Sequence, residues 1–229
     1  MDILPIKALY RKKYGYNTFY EVATSLIAQN KAIHQQGDAA MKRESKESIK
    51  CSSGDIRVDL PISFGSLDAR HRLIILGLEP RDSKNIYNLE RQGKFVFGTP
   101  FGIEQWSSGN KYFKSFSEII SRSDCFVYFT DVVKEYEVKE SKVKADKNAR
   151  KEFWNKASNE ENIAFLKEEM SHINPTHIIA LGRDTYFFLK EIFGEKVIGV
   201  KHPNARQDQK TKENAWDSIR EDLQKLLHG

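Results

Sequence analysis

From residue 72 onward the sequence alternates short apolar runs with segments of helical periodicity, and this alternation constrains the fold more than any other feature. The predicted strands cover residues 73–76, 126–130, 177–181 and 196–200. Near-continuous apolar runs of this length are typical of parallel strands that are buried on both faces. Because strands alternate with helices, the sequence predicts a three-layer α/β/α fold with a central four-stranded parallel sheet.

The segments between and after these strands carry apolar residues at helical spacing. The predicted helices cover residues 112–120, 159–172 and 184–193, and a last helix places Trp216, Ile219, Leu223, Leu226 and Leu227 on one face. Ser158 and Glu161 have the spacing of a capping box, which predicts the start of the helix at residue 159.

Residues 1–70 precede this alternation and are predicted to form an N-terminal helical extension and linker. Residues 14–36 carry apolar side chains at helical spacing, and residues 38–53 are polar and are predicted to form an exposed connection. A short edge strand is predicted at residues 56–58. The main α/β domain is therefore expected to cover residues 71–229.

Composition limits the compartment and the cofactors. No apolar run approaches the roughly 20 residues that span a membrane, and the N-terminus has no apolar signal region. The two cysteines, Cys51 and Cys125, cannot by themselves supply a four-thiolate zinc or iron–sulfur site. We expect a cytoplasmic protein with no metal, no cofactor, no membrane contact and no obligatory protein partner.

The ends of the four predicted strands bring polar side chains together. Right-handed crossovers place the carboxyl ends of parallel strands at one edge of the sheet, where open α/β sheets bind ligands. The segments that follow the strands carry Glu79, Asp131, Lys134, His202 and Arg206. The pattern therefore predicts a functional site at this edge.

Four motifs at these strand ends resemble those of the uracil-DNA glycosylase superfamily. They are LGLEP at residues 76–80, YFTDVVK at 128–134, IALG at 179–182 and HPN at 202–204. Members of the family carry G-Q-D-P-Y, G-M-N-P-G or G-E-A-P-G after the first strand; some have T-N-V-V-K after the second, and many have A-L-G after the third and H-P-S after the fourth. The resemblance runs from about residue 72 to residue 227.

The resemblance implies a DNA glycosylase that hydrolyses the N-glycosidic bond of a flipped base. Glu79 aligns with the Asp or Asn of the first motif, which implies a water-activating or cation-stabilising role. His202 aligns with the histidine that donates to the base oxygen O2. Phe95 or Phe97 aligns roughly with the aromatic residue that stacks on the base, and the remaining base contacts are expected from Leu78 and Asp131.

DNA contacts are expected from basic and polar residues near the same edge. The segment from Lys139 to Lys156 holds seven basic and three acidic residues, most of the excess in a chain with a formal net charge of +5. Such a segment is either a solvated loop or a strip that contacts the phosphate backbone. The expected DNA-contacting residues are Arg81, Lys134, Lys142, Lys144, Lys147, Asn204 and Arg206.

The sequence departs from the family at residues that decide the substrate. Glu79 is one methylene longer than Asp, and Arg81 stands where the best-known branch has Tyr. Asp131 stands where the uracil-recognising motif has Asn. An ionised Asp only accepts hydrogen bonds, so it would disfavour uracil O4 and favour the N4 amine of cytosine.

Excision of plain cytosine would destroy the host genome, so the preferred substrate is a modified cytosine. Bulky modified cytosines occur in some phage genomes, which suggests a defence role. A uracil-DNA glycosylase in base-excision repair is the alternative. A non-catalytic nucleic-acid-binding module on the same fold is a second alternative, because a fold can survive the loss of its activity.

Overall fold

A computed structural model of the chain describes residues 4–14, 49–80, 90–105, 110–138, 147–205 and 214–228. The described helices are α1 (Leu4–Tyr14), α2 (Lys111–Ser121), α3 (Lys147–Ala157), α4 (Glu160–Ile173), α5 (Arg183–Phe193) and α6 (Ala215–His228). The described strands are β1 (Ile56–Asp59), β2 (Ile62–Phe64), β3 (His71–Gly77), β4 (Glu90–Gln92), β5 (Phe95–Gly98), β6 (Cys125–Asp131), β7 (Glu135–Glu137), β8 (His177–Leu181) and β9 (Val197–Val200).

The central sheet contains the four predicted strands, with one additional strand at its edge. Its order is β2-β6-β3-β8-β9. β6, β3, β8 and β9 are parallel, as predicted, and β2 pairs antiparallel with β6. β2 was not predicted, because three residues after a proline are too short to show strand periodicity.

Alternate residues of β3 pack into two separate cores, which confirms the three-layer fold. Ile74 and Leu76 lie in a first core with side chains from α1, α3, α4 and α5. Leu73 and Ile75 lie in a second core with side chains from α2 and α6. All four side chains are fully buried, as expected for a strand covered on both faces.

A second sheet lies outside the predicted architecture. Its order is β4-β5-β1-β7, with β1 parallel to β5 and antiparallel to β7. Of its strands, only a short strand near β1 was predicted. Residues 93–102 were interpreted as a glycine-rich loop, but residues 95–98 of that segment form β5. β5 pairs with the neighbouring β4 and with β1, and β1 is a distant partner that the local sequence does not reveal.

The N-terminal segment contributes helix α1, which packs on the first core through the buried side chains of Ile6 and Tyr10. The helix predicted at residues 14–36 lies, beyond its first residue, outside the described part of the chain. The division at residue 70 stays a prediction; β1 and β2 precede it and pair with strands that follow it. None of the helices described is long and apolar enough to cross a membrane.

Candidate active site

The turn after β3 is held against the segment after β6. The backbone N–H groups of Val132 and Val133 donate to the carbonyl oxygens of Gly77 and Leu78, at 3.0 and 2.9 Å. These two bonds continue the strand pairing beyond the sheet. They place half-buried Glu79 next to the end of β6, where Asp131 lies. The predicted meeting of these strand ends is therefore present.

Gly77 is the last residue of β3, and two side chains pack against its backbone. A Cβ atom built there would lie 2.5 Å from Asp131 Oδ1 and 2.7 Å from Phe101 Cε1. Real Cβ atoms do not approach other atoms that closely, so a side chain at residue 77 would displace both groups. The carboxyl group of Asp131 and the ring of Phe101 therefore both lie against the backbone of Gly77, in space that a side chain would need.

Phe101 is a site residue that the sequence analysis missed. Its backbone has a left-handed conformation, with φ of 59°, which is costly for a non-glycine residue and is often found at functional sites. Its half-buried ring stacks on that of Tyr112, with centroids 5.1 Å apart and 21° between the planes. It also makes an edge contact with Phe129. These contacts fix the ring beside Gly77.

Tyr112, the second missed residue, connects Phe101 to the segment after β9. Asn204 donates its backbone N–H to Nδ1 of His202 at 3.2 Å and its side-chain amide to the hydroxyl of Tyr112 at 3.1 Å. Because Nδ1 accepts this bond, the proton of a neutral His202 lies on Nε2. Nε2 faces the Tyr112 hydroxyl at 3.5 Å, a weak contact. His202 thus presents a ring N–H at this edge.

Asp131 is buried in a cluster of charged groups. Burial raises the pKa of its carboxyl group well above the ordinary value; the charges of Asp59 and Glu79 add to this rise, and those of Lys134 and Arg57 oppose it. The neutral acid therefore persists to a higher pH than it does in an ordinary Asp. The expectation of an ionised Asp131 considered the residue type without these surroundings, and it stays a prediction.

Phe95 and Phe97 do not reach this edge, contrary to the prediction that one of them stacks on the base. The pairing of β1 with β5 puts Asp59, which contacts Asp131, on the same face as Gly98. Successive side chains alternate across a strand, so the two phenylalanines lie on the other face. There Phe97 is fully buried in the first core, with Phe95 packed against it.

Lys134 is also placed differently from the prediction. Its side chain is 0% exposed, and Nζ donates to Glu169 Oε2 at 2.7 Å, to Thr130 Oγ1 and to the carbonyl oxygen of Asp131. Burial is the main cause that lowers the pKa of this amine, and the charge of Glu169 opposes it. A fully enclosed and paired ammonium group does not contact DNA, so that prediction is wrong.

Some of the other residues predicted to contact the base or the DNA lie within the described part of the chain. Asn204 is exposed at the edge, and Leu78 is half-buried there. Lys147 is the first residue of α3. Arg81, Lys142, Lys144 and Arg206 lie outside the described residues, and their roles stay predictions. Within the described ranges, no cluster of three His, Cys, Asp or Glu side chains could hold a metal ion.

The arrangement has the parts needed for cleavage of a base–sugar bond. It combines a carboxylate at a strand end, a ring N–H donor, an aromatic ring beside a bare glycine and a buried acid. The family model of the uracil DNA glycosylase superfamily matches residues 64–224, from the end of β2 into α6. No curated protein matches the chain.

Proposed function

The chain belongs to the uracil-DNA glycosylase superfamily, and we propose that it hydrolyses the N-glycosidic bond of a flipped, non-standard pyrimidine in DNA, with a modified cytosine as the substrate. Membership of the superfamily supports a glycosylase that acts on DNA. The choice of a modified cytosine depends on one observation. The ring of Phe101 and the carboxyl group of Asp131 both lie against the backbone of Gly77, beside the turn that carries Glu79.

Glu79 and His202 fit the charges of the reaction. As the bond to C1′ breaks, the sugar becomes oxocarbenium-like and the base leaves with negative charge. Glu79 would stabilise the cation and orient the attacking water. His202 would donate its Nε2–H to the oxygen of the leaving base, where negative charge develops. A neutral histidine suffices, because the bond from Asn204 already puts the proton on Nε2.

Phe101 would form the surface on which the flipped base stacks. Base flipping costs a few kcal/mol in lost stacking and pairing, which a new stacking contact partly offsets. The ring of Tyr112 lies behind Phe101 and holds its orientation. Phe101 therefore replaces Phe95 and Phe97 in the proposed site.

Asp131 would select the base. Its Oδ1 lies over Gly77 beside Phe101, where it could accept a hydrogen bond from the N4 amine of a cytosine. Uracil has a carbonyl oxygen at this position and needs a donor. The raised pKa of Asp131 would favour the alternative, a uracil-DNA glycosylase, only if the protonated acid donated its proton to the base. A modified cytosine in phage DNA would make the activity a defence.

Oligonucleotides with a single candidate base test the proposal. The bases are uracil, cytosine, 5-hydroxymethylcytosine and glucosylated 5-hydroxymethylcytosine, each in single and double strands. Treatment with the protein and then with alkali should break the strand at a modified cytosine. Breakage only at uracil would promote the runner-up. Binding without breakage on any substrate would indicate a non-catalytic module.

The basic segment provides a separate prediction about DNA binding. In α3, Phe153 and Ala157 are buried in the first core, whereas Lys151 is exposed. The helix thus turns at least one of its lysines outward. Neutralising Lys142, Lys144, Lys147 and Lys151 together should weaken binding on every sequence. The slope of log affinity against log salt should fall by about 0.9 for each duplex phosphate contact that is lost.

A matched control separates contact from net charge. It neutralises four exposed lysines on other elements, Lys12, Lys167, Lys196 and Lys225. The salt slope of the control should stay close to that of the wild type. Equal slopes for the two variants would mean that the basic segment is only a solvated surface.

A further inference from the structure

A buried ion pair on β1 lies behind Asp131. Arg57 Nε donates to Asp59 Oδ1 at 2.7 Å, and the two side chains are 1% and 6% exposed. The guanidinium group lies directly against Gly98 of β5, where any Cβ atom would overlap it. Strand pairing, the bare glycine and the ion pair therefore fix the position of the Asp59 carboxyl group.

The carboxyl groups of Asp59 and Asp131 lie close enough for each to affect the pKa of the other. Two ionised carboxylates at this position would repel each other, and neither would have a proton to donate. Asp131 Oδ2 is also buried with no hydrogen-bond partner among the described residues. One proton held by the pair would remove this repulsion and would let the unpaired Oδ2 act as a donor.

The charges around the pair indicate which acid holds the proton. Arg57 contacts Asp59 and lowers its pKa, although burial raises it overall. Asp131 is faced by Arg57 and Asp59 from β1, by Lys134 after β6, by Glu79 after β3 and by the Tyr112 hydroxyl of α2. Asp59 has an ion-pair partner, Arg57, at 2.7 Å, whereas no such partner of Asp131 is found among the described residues. Because Arg57 stabilises the ionised form of Asp59, we assign the proton to Asp131.

We propose that Arg57 and Asp59 are positioning residues that hold Asp131 as a neutral acid, with its hydroxyl donated to Asp59 and its other oxygen presented to the flipped base as an acceptor. This inference rests on the proposed function, because it names the group that selects the base. Neither positioning residue contacts the base. Both lie before residue 64, outside the matched family segment.

The proposed hydrogen-bond direction explains why cytosine derivatives would be preferred, and it does so without a negative charge on the buried Asp131. Asp131 Oδ1 can accept a hydrogen bond from the N4 amine, and the only proton of the acid is already donated to Asp59. A uracil oxygen would then face an acceptor and would be disfavoured. Loss of Asp59 would release that proton and remove the basis of the preference.

The first test measures protonation without any substrate. The carboxyl-carbon NMR signal of Asp131, assigned through the backbone of the isotope-labelled wild-type protein, should report a protonated acid at neutral pH. In Asp59→Asn, the new amide can donate a hydrogen bond to Asp131 and stabilise its ionised form. The titration of Asp131 should then move toward the ordinary range of Asp. The control is Asp222→Asn at an exposed position, which should leave the signal unchanged. Titration of wild-type Asp131 in the ordinary range of Asp would overturn the proposal.

The second test uses the base panel. An Asn at position 131 can donate its amide to Asp59 and still present a carbonyl oxygen to the base. Asp131→Asn should therefore change the rate on every base by a similar factor and preserve their order. Asp59→Asn should bring a new ionisation into the pH profile of excision. A shift of Asp131→Asn toward uracil would overturn the proposal and would restore the ionised form expected from the sequence.

Stability against pH provides a measurement that needs neither activity nor NMR. An Asp whose folded pKa is raised binds more protons when folded than when unfolded, so stability falls as pH rises from the unfolded pKa to the folded one. Asp131→Asn removes this loss. Its free energy of unfolding in urea should decline less between acid and neutral pH than that of the wild type. An equal decline would contradict the neutral acid, and a protein that excises no base would refute only the proposed function.

Discussion

Replacement of Glu79 by Gln should slow single-turnover excision by about 10²–10⁴-fold, the usual contribution of a positioned acid or base. The amide is almost the same size as the carboxylate, but it can neither activate water nor stabilise a cationic sugar. Two backbone bonds hold the turn at Gly77 and Leu78, so the substitution should leave the local structure intact. DNA affinity should change little.

His202→Ala removes the other half of the proposed chemistry. Loss of one donor to a developing oxyanion typically costs about 10²–10³ in rate. The rates should be measured with enzyme in excess, and DNA affinity should be measured separately. The controls are Glu191→Gln and His228→Ala, which change exposed side chains on α5 and α6. Wild-type rates in both Glu79→Gln and His202→Ala would show that the strand-end site is assigned wrongly.

The centre of the main sheet was predictable because β3, β6 and β8 are largely buried on both faces. They therefore appear as near-continuous apolar runs in the sequence. The second sheet offered no such signal. Its four strands have three or four residues each. The central strand, β1, pairs with β5 and β7, which lie far from it in the chain.

The placement of the candidate residues was predictable where it depends on strand ends and not where it depends on side-chain direction. Glu79, Asp131 and His202 follow strands whose ends must share an edge. The resemblance pointed to Phe95 or Phe97, and Phe101 was not considered. The alternation of β5 turns both toward the first core, whereas Phe101 is placed by a left-handed backbone and the bare surface of Gly77. No local pattern in the sequence shows either feature.

The protonation of Asp131 could not be predicted from its residue type. The groups that decide it are Asp59 and Arg57, more than 70 residues earlier in the chain, and both lie on a strand of the other sheet. The burial of Lys134 could not be predicted for the same reason, since its ion-pair partner Glu169 follows it by 35 residues. In both cases a partner distant in sequence determines whether a charged side chain faces solvent, substrate or core.

Lys134→Met should destabilise the protein by about 3–5 kcal/mol, the usual cost of leaving one member of a buried ion pair uncompensated. Glu169 would keep the hydrogen bonds that it accepts from Tyr10 and Tyr128, at 2.7 and 2.6 Å, but its charge would lose the ammonium group. Glu169→Gln in the Lys134→Met background should recover part of the loss, because glutamine still offers an oxygen to the two hydroxyls. Urea unfolding of the two single variants and the double variant measures this coupling.

The test of Lys134 needs a control at an exposed ion pair and a measurement of DNA binding. Lys156→Met breaks the ion pair with Glu152, whose side chains are 39% and 41% exposed, and should cost less than about 1 kcal/mol. The folded double variant should bind DNA with the same salt dependence as the wild type, because Lys134 Nζ is enclosed by Glu169, Thr130 and the backbone of Asp131. A small loss of stability together with a reduced salt slope would instead place Lys134 on the DNA.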